Sequence, residues 1–243
     1  LKVCAMKRDR EERQPLRAVF FDLDDTLVAT TEHDQTAYAA VKLAVQKECP
    51  DVDTSKLIDD FKVALAASPW DKGYPETELT DVTTHRGALW SNVLRIQGVA
   101  ADVSAELGQR LQSVFDTARL GALRFIDGAE DMVRRLQSRG LKTVLITSGH
   151  HTIQHAKLEA VSASKLFHSD ATIVGGDELR AGRPDKPAKE IFDRACAIAE
   201  CQPREAVMIG DSLKSDIQGA KNAALAASIW VNPAGKSLKD GDP

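Results

Sequence analysis

The stretch that decides the fold reads RAVFFDLDDTL and runs from residue 17 to residue 27. Its first part is a short apolar run rich in β-forming residues, which predicts a buried parallel strand. Two carboxylates, Asp22 and Asp24, follow at the carboxyl end of this strand. Open α/β sheets bind their ligands at that edge. Because neighbouring buried acids are costly unless a cation or protons compensate their charge, the pair marks a candidate functional site.

Three further polar clusters occupy positions that an active site at this edge could use. The segment TVLITS, residues 143–148, joins a strand-like run to two hydroxyl side chains. The segment AVMIGDSLKSD, residues 206–216, joins another strand-like run to two carboxylates, and Lys186 precedes an amphipathic helical segment. In a parallel sheet the carboxyl ends of these strands lie on one edge, so the side chains are predicted to converge.

These residue types suit phosphoryl transfer. An ionised carboxylate can attack phosphorus and form an aspartyl-phosphate. Mg²⁺ is a hard ion that one or two carboxylates hold together with phosphate oxygens. The Lys186 ammonium would bind the phosphate as a point charge, and Thr147 would donate a hydrogen bond to its oxygens. A second carboxyl group would protonate the departing alcohol and then deprotonate the attacking water.

The four motifs, in this order, resemble the haloacid dehalogenase superfamily over roughly residues 17–232. The DxDxT motif matches residues 22–26, and the hydroxyl of the second motif matches Thr147. The Lys-Pro motif matches Lys186, and the GDxxxxD motif matches residues 210–216. The resemblance implies an α/β fold, with a Rossmann-like, mostly parallel sheet as its core and an inserted helical cap domain.

The resemblance also implies a role for each motif residue. Asp22 would be the nucleophile and Asp24 the general acid/base. The implied Mg²⁺ ligands are Asp22, the backbone carbonyl of Asp24, and Asp211. Asp216 would stabilise these ligands without binding the metal itself. The implied phosphate-binding residues are Leu23, Asp25, Thr147, Ser148 and Lys186.

The domain organisation follows from a change in pattern along the chain. Residues 34–120 lack short β-rich runs and carry helix-like spacing of apolar residues, which predicts the helical cap. Residues 15–33 and 121–243 alternate strand and helix patterns and form the predicted core domain. Residues 1–14 are interpreted as an N-terminal extension. A cap of this size would exclude bulky macromolecules, which favours a small substrate.

A narrower likeness, to phosphatases of sialic-acid 9-phosphates, rests on residues 17–27, 173–178 and 216–220. It implies a sugar phosphate substrate, such as N-acylneuraminate 9-phosphate. His85 and Arg86 in the predicted cap are candidates for contacting the part of the substrate remote from phosphorus, because an arginine can pair bidentately with a carboxylate. The pattern nevertheless favours an exposed helix surface as the interpretation of these two residues.

Other functions remain open at this point. A phosphomutase would share all four motifs, and a phosphonatase would need a Schiff-base lysine from the cap, for which Lys42, Lys62 and Lys72 are candidates. A dehalogenase would have no use for an acid/base at Asp24. A non-enzymatic small-molecule-binding protein would be favoured by loss of motif residues, and here all of them are present.

The composition of the chain restricts the classes of binding partner and the cellular locations that are expected. The chain has 243 residues, a net charge of -4 and 43% hydrophobic residues, which argues for a globular protein and against nucleic-acid binding. It has no apolar stretch of membrane-spanning length, and residues 1–13 lack the apolar core of a secretory signal. Four cysteines without zinc-site spacing favour a reducing, cytoplasmic location. The chain starts with Leu rather than Met, and relatives often continue with another strand and helix, so both ends are candidates for truncation.

Overall fold

A computed structural model of the chain separates it into two compact units, which we call the sheet unit and the helical unit. The described residues are 2–4, 15–71, 81–233, 235–239 and 241–243. The sheet unit comprises Leu1–Ala29 and Arg124–Pro243, and the helical unit comprises Thr30–Leu123. The helical segment therefore begins four residues before the predicted boundary at residue 34 and ends three residues after residue 120. The reason is that its first and last helices extend beyond the apolar spacing visible in the sequence.

Six strands form the sheet. They are β1 (Lys2–Cys4), β2 (Ala18–Phe21), β3 (Lys142–Thr147), β4 (Thr172–Val174), β5 (Ala206–Gly210) and β6 (Ala227–Trp230). Their order across the sheet is β1-β6-β5-β2-β3-β4, and every neighbouring pair except β1 with β6 is parallel. The prediction of a mostly parallel α/β sheet is confirmed.

The predicted N-terminal extension contributes a strand. Within residues 1–14, Lys2–Cys4 pairs antiparallel with β6, and Val3 lies opposite Ile229. Residues 1 and 5–14 lie outside the described part of the chain. A strand of three residues at a sheet edge needs only backbone hydrogen bonds on one side, so it leaves no alternating or continuous apolar pattern in the sequence.

The position of β2 explains why the motif residues meet. All four residues of β2 are buried, as expected for a strand covered on both faces. Phe21 at its end is in register with Leu145 of β3 on one side and with Ile209 of β5 on the other. The three strands therefore end at nearly the same level, and the residues that follow them share one edge of the sheet.

The described residues of the helical unit form four helices around its own core. They are α1 (Thr30–Glu48), α2 (Thr54–Ala67), α3 (Val82–Ile96) and α4 (Ala101–Ala122). Trp90 is fully buried in this core and stacks on Phe61, with ring centroids 3.5 Å apart. Helices α3 and α4 pack closely, since a Cβ on Gly108 would lie 2.5 Å from the carbonyl oxygen of Gly87.

In the described part of the sheet unit there are five further α-helices. They are α5 (Ala129–Ser138), α6 (His151–Ala160), α7 (Gly175–Arg180), α8 (Lys189–Ile198) and α9 (Gln218–Asn222). Apolar side chains of α8, including Ile191 and Phe192, pack with the sheet in one core cluster. The Lys-Pro segment precedes α8, so this packing fixes where Lys186 enters the site. Among the described helices, none has the length and apolar character needed to cross a membrane.

Candidate active site

Lys186 lies at the centre of the site, and all three protons of its ammonium group are used. Its Nζ donates to Asp22 Oδ1 at 2.7 Å, to Asp216 Oδ1 at 2.7 Å and to the carbonyl oxygen of Ile146 at 2.9 Å. Asp22 follows β2, Asp216 follows β5, and Ile146 lies within β3. The Lys186 ammonium group therefore links three strands of the sheet. The Lys186 side chain is only 1% exposed. In this arrangement Lys186 compensates carboxylate charge, and its contact with phosphate stays a prediction.

Three carboxylates crowd around this cation. Asp22, Asp211 and Asp216 each place one oxygen within 4.8 Å of the others. Burial above all, and then repulsion by Asp216 and Asp24, raise the pKa of Asp22 to about 8, although Lys186 opposes the shift. Burial and the Asp216 charge likewise raise the pKa of Asp211 to about 6.

This donor set fits a divalent metal ion. Lys186 pairs with two of the three carboxylates, so the ionised cluster carries excess negative charge that a second cation would relieve. All the donors are hard oxygen atoms, which Mg²⁺ prefers. Asp22 and Asp211, both predicted as ligands, belong to the cluster, as does Asp216. Asp24 was predicted as a ligand through its backbone carbonyl, and its carboxylate is not part of the cluster.

The loop after β2 turns back on itself within a few residues. Leu27 and Val28 both donate their backbone N–H groups to the carbonyl oxygen of Leu23 at 2.9 Å, and Asp25 donates to the carbonyl of Val28 at 2.7 Å. Asp25 adopts a left-handed conformation with φ of 54°, which Asp tolerates better than most residues. Asp22 is anchored separately, because its N–H donates to the carbonyl of Ile209 at 2.9 Å.

Asp24 is held by two residues that sequence reasoning missed. Lys157 Nζ lies 2.8 Å from both carboxylate oxygens of Asp24, and Gln154 Nε2 donates to Asp24 Oδ2 at 3.0 Å. Both partners lie on α6, more than 120 residues further along the chain. No motif or spacing distinguishes them from the other polar residues of that helix, so no local signal could have found them.

The two hydroxyl groups of the second motif differ in their environment. Thr147 is fully buried, and its Oγ1 has no hydrogen-bond partner among the residues that the structure describes. Ser148 Oγ instead donates to Asp185 Oδ1 at 2.9 Å, and Asp185 Oδ1 also accepts from the backbone N–H of Lys186 at 2.6 Å. Contact of Thr147 with phosphate therefore stays a prediction, whereas Ser148 stabilises the loop that carries Lys186. Asp185 was not singled out from the sequence.

The last motif depends on its glycine. Asp216 is fully buried, and its Oδ2 accepts from the backbone N–H of Ser212 at 3.0 Å. A Cβ on Gly210 would lie 2.3 Å from Asp216 Cγ, so only glycine leaves room for this carboxylate. The sequence predicted the two acids of this motif, and the structure gives the reason for Gly210, the last residue of β5, which precedes the first of them.

His85 and Arg86, the two candidates for substrate specificity, lie on α3 of the helical unit. Both are half-buried rather than exposed, and His85 Nε2 lies 3.3 Å from Ser68 Oγ. Arg86 lines a cavity of about 60 Å³ together with Tyr38 and Arg119. Burial, and then the neighbouring Arg119 guanidinium, lower the pKa of Arg86, and the carboxylates of Asp116 and Asp34 oppose the shift.

The lysines considered for Schiff-base chemistry give that alternative no support. Lys42 Nζ donates to Ser55 Oγ at 3.3 Å, and Lys62 is exposed with its Nζ 4.7 Å from the centroid of the Tyr38 ring. Lys72 lies outside the described residues.

Comparison with known proteins agrees with this geometry. Residues 16–224 match the model of a family described as haloacid dehalogenase-like hydrolase. The N-acylneuraminate-9-phosphatase of Mus musculus is 31% identical over 221 residues, which cover 91% of this chain and 84% of that protein. The glyceraldehyde 3-phosphate phosphatase of Pyrococcus furiosus is 28% identical, with 88% and 80% covered. Both resemblances inferred from the motifs are confirmed.

Solved structures show the same fold. The HAD-hydrolase YfnB of Bacillus subtilis, determined bound to magnesium, superposes with a TM-score of 0.65 at 24% identity, and the alignment covers 95% of this chain and 92% of that one. A 2-haloacid dehalogenase from Pseudomonas syringae superposes with a TM-score of 0.62 at 23% identity, with 93% and 90% covered.

Proposed function

The chain belongs to the haloacid dehalogenase-like hydrolase family, and we propose that it is a Mg²⁺-dependent phosphatase of small phosphomonoesters. The observation that carries the proposal is the cluster of Asp22, Asp211 and Asp216, in which Lys186 pairs with the two buried carboxylates, those of Asp22 and Asp216. Such a cluster is stable as an ionised group only when further positive charge enters it. A metal ion held by Asp22, Asp211 and the Asp24 carbonyl would supply that charge and would screen the anionic phosphate.

In the first step Asp22 would act as the nucleophile. One of its oxygens forms a bond to phosphorus while the bond from phosphorus to the substrate alcohol breaks, which leaves an aspartyl-phosphate. The departing alkoxide takes a proton from Asp24. Lys186 keeps the Asp22 carboxylate in place, and Thr147 Oγ1, which is buried and has no partner among the described residues, donates to a phosphate oxygen.

In the second step water would release the phosphate. Asp24, now ionised, takes a proton from the water as its oxygen attacks phosphorus. The bond between phosphorus and Asp22 breaks, so inorganic phosphate leaves and the Asp22 carboxylate is restored. Each step therefore uses Asp24 once, first as an acid and then as a base.

For the substrate we propose a sugar phosphate that bears a carboxylate, with N-acylneuraminate 9-phosphate as the first compound to test. The sialic-acid phosphatase relatives support the sugar phosphate. The half-buried Arg86 in the cavity of the helical unit supports the carboxylate, because a guanidinium offers two parallel donors to that group. His85 on the same helix is the second candidate for a contact with the sugar.

The test is phosphate release from a panel of sugar phosphates, nucleotides and 4-nitrophenyl phosphate, with Mg²⁺ and with EDTA. We expect Mg²⁺-dependent release and its abolition in Asp22→Asn, since an amide is no usable nucleophile. Asp193→Asn is the matched control, because Asp193 is an exposed acid paired with Lys189 on α8. Full activity in EDTA, or an active Asp22→Asn variant, would overturn the proposal. A preference for nucleotides over every sugar phosphate would remove the substrate assignment alone.

A further inference from the structure

The contact between α6 and Asp24 joins a buried cation to the proposed acid/base. Lys157 and Gln154 are each only 4% exposed, whereas the Asp24 side chain keeps 27% of its surface. A buried ammonium group is costly unless a carboxylate compensates it. Lys157 Nζ is equidistant, at 2.8 Å, from the two oxygens of Asp24, so it restrains the orientation of the whole carboxylate.

Gln154 connects the same carboxylate to the segment after β3. Its Nε2 donates both to Asp24 Oδ2 at 3.0 Å and to the backbone carbonyl of Ser148 at 2.7 Å. The amide is confined, because a Cβ on Gly149 would lie 2.5 Å from this nitrogen. Two buried donors from one helix therefore hold the Asp24 side chain, and one of them is tied to the second motif.

We propose that Lys157 is a positioning residue for the phosphatase, holding Asp24 where it can exchange a proton with the leaving alcohol and the attacking water. The proposal rests on the function proposed above. A general acid/base works only within hydrogen-bonding reach of its proton partner. An Asp side chain on a partly exposed loop has several rotamers available, and its contacts with Lys157 and Gln154 select one of them.

A merely structural role for Lys157 would have a different signature. If the buried lysine only stabilised the fold, its loss would reduce activity on all phosphomonoesters alike. If it positions Asp24, its loss should matter most where the leaving group needs a proton. The alkoxide of a sugar phosphate needs one, whereas 4-nitrophenolate leaves without protonation.

The experiment compares aspartyl-phosphate formation from these two kinds of substrate in single-turnover rapid-quench measurements with Mg²⁺. Lys157→Met keeps the side-chain length and removes the charge. A misplacement of a catalytic group by about 1 Å can reduce a rate on the order of 100-fold. We therefore expect Lys157→Met to slow aspartyl-phosphate formation roughly 10- to 100-fold with the alkyl phosphate that the wild type turns over fastest. On the same reasoning, the fold-loss in rate with 4-nitrophenyl phosphate should be at least about 5 times smaller than the fold-loss with the alkyl phosphate. The matched control is Lys189→Met, which removes an exposed lysine from a carboxylate on α8.

A double-variant cycle tests whether Lys157 acts through Asp24. In an Asp24→Asn background, Lys157→Met should cause no further loss of the alkyl rate, since the group that it positions is already disabled. Thermal unfolding of the metal-free proteins gives a readout independent of activity. Each single variant should lower Tm, and the double variant should lower it by less than the sum, because removing both members of a buried pair leaves no uncompensated charge.

The outcomes separate this inference from the proposed function. Equal losses on both substrates, or the same loss in the presence and absence of the Asp24 carboxylate, would overturn the positioning role. Should Lys157→Met fail to fold, Gln154→Leu removes the other donor to Asp24. Its loss of rate is then compared between the alkyl phosphate and 4-nitrophenyl phosphate in the same way. A wild-type protein that releases no phosphate from either substrate would instead refute the phosphatase assignment, whatever the unfolding data show.

Discussion

Replacing Lys186 with methionine should destabilise the metal-free protein strongly at alkaline pH. The substitution keeps the length of the side chain and removes a cation that donates three hydrogen bonds, two of them to carboxylates. The side chains of Asp22 and Asp216 are 8% and 1% exposed, so water cannot replace the lost charge. Breaking a buried ion pair by removing one partner costs about 3–5 kcal/mol.

The penalty should depend on pH in a defined direction. The pKa of Asp22 is already raised by burial to about 8 in the folded protein, and loss of Lys186 would raise it further. An acid with a raised folded-state pKa destabilises the protein when it is ionised, so its cost is largest above that pKa. The cost shrinks as the pH falls and disappears near the unfolded value of about 4. Below about pH 8 Asp22 is protonated in both folded proteins, so the extra loss in the variant grows only as the pH rises through about 8. Lys186→Met should therefore lose more stability at pH 10 than at pH 6.

The assay is urea unfolding in EDTA at both pH values, followed by circular dichroism. We expect a loss of about 3–5 kcal/mol at pH 10 and a clearly smaller loss at pH 6. Lys189→Met serves as the control, because its exposed pair with Asp193 is worth about 0.3–0.5 kcal/mol at most. A loss below about 1 kcal/mol at pH 10, which is the scale of an exposed pair, would refute the view that Lys186 compensates buried carboxylates. So would an equal loss at both pH values.

Three further predictions follow from the same geometry. Mg²⁺ should raise the Tm of the wild type more at pH 8 than at pH 5 in thermal scans, because metal and protons compete for the acidic cluster. Gly210→Ala should cost about 1–3 kcal/mol in urea unfolding and should lower kcat, since the added Cβ meets Asp216 at 2.3 Å. Gly121→Ala, where a Cβ meets nothing within 4 Å, should do neither. Arg86→Ala should lower kcat/KM for a carboxylate-bearing sugar phosphate roughly 10-fold or more, as expected for a charged hydrogen bond, and spare 4-nitrophenyl phosphate. Arg95→Ala, exposed on the same helix, should change neither rate, and equal losses for Arg86→Ala on both substrates would assign Arg86 to stability.

The sheet and the convergence of its motif residues were accessible from the sequence because they depend on local patterns. Strand β2 was predicted to within one residue, since a continuous apolar run followed by acids has few other interpretations. The meeting of Asp22, Lys186 and Asp216 then followed from the rule that parallel strands end at one edge. The N-terminal strand Lys2–Cys4 was not predicted, because three residues at a sheet edge are too few to show a periodic pattern of apolar side chains.

The residues that refine the site could not be predicted, for a different reason. The sequence does not distinguish a buried lysine from an exposed one, and Lys157 lies 133 positions from its partner Asp24 along the chain. The same applies to Asp185, which accepts a hydrogen bond from the Ser148 hydroxyl. It also applies to Lys186, whose three protons are all bound by protein acceptors instead of being left for phosphate. Such contacts depend on packing between elements, which a single sequence does not encode in any short pattern.

The central position of β2 in the sheet has a consequence for the order in which the chain can fold. Its two neighbours, β3 and β5, lie more than 100 residues further along the chain. The helical unit is by contrast one uninterrupted segment, Thr30–Leu123, whose contacts are local. Local contacts form quickly, and domains made of contiguous chain fold first as a polypeptide emerges from the ribosome. Strand β2 therefore stays unpaired until β3 has been synthesised and lacks its other neighbour until β5 follows, so its apolar residues favour aggregation of the nascent chain during this interval.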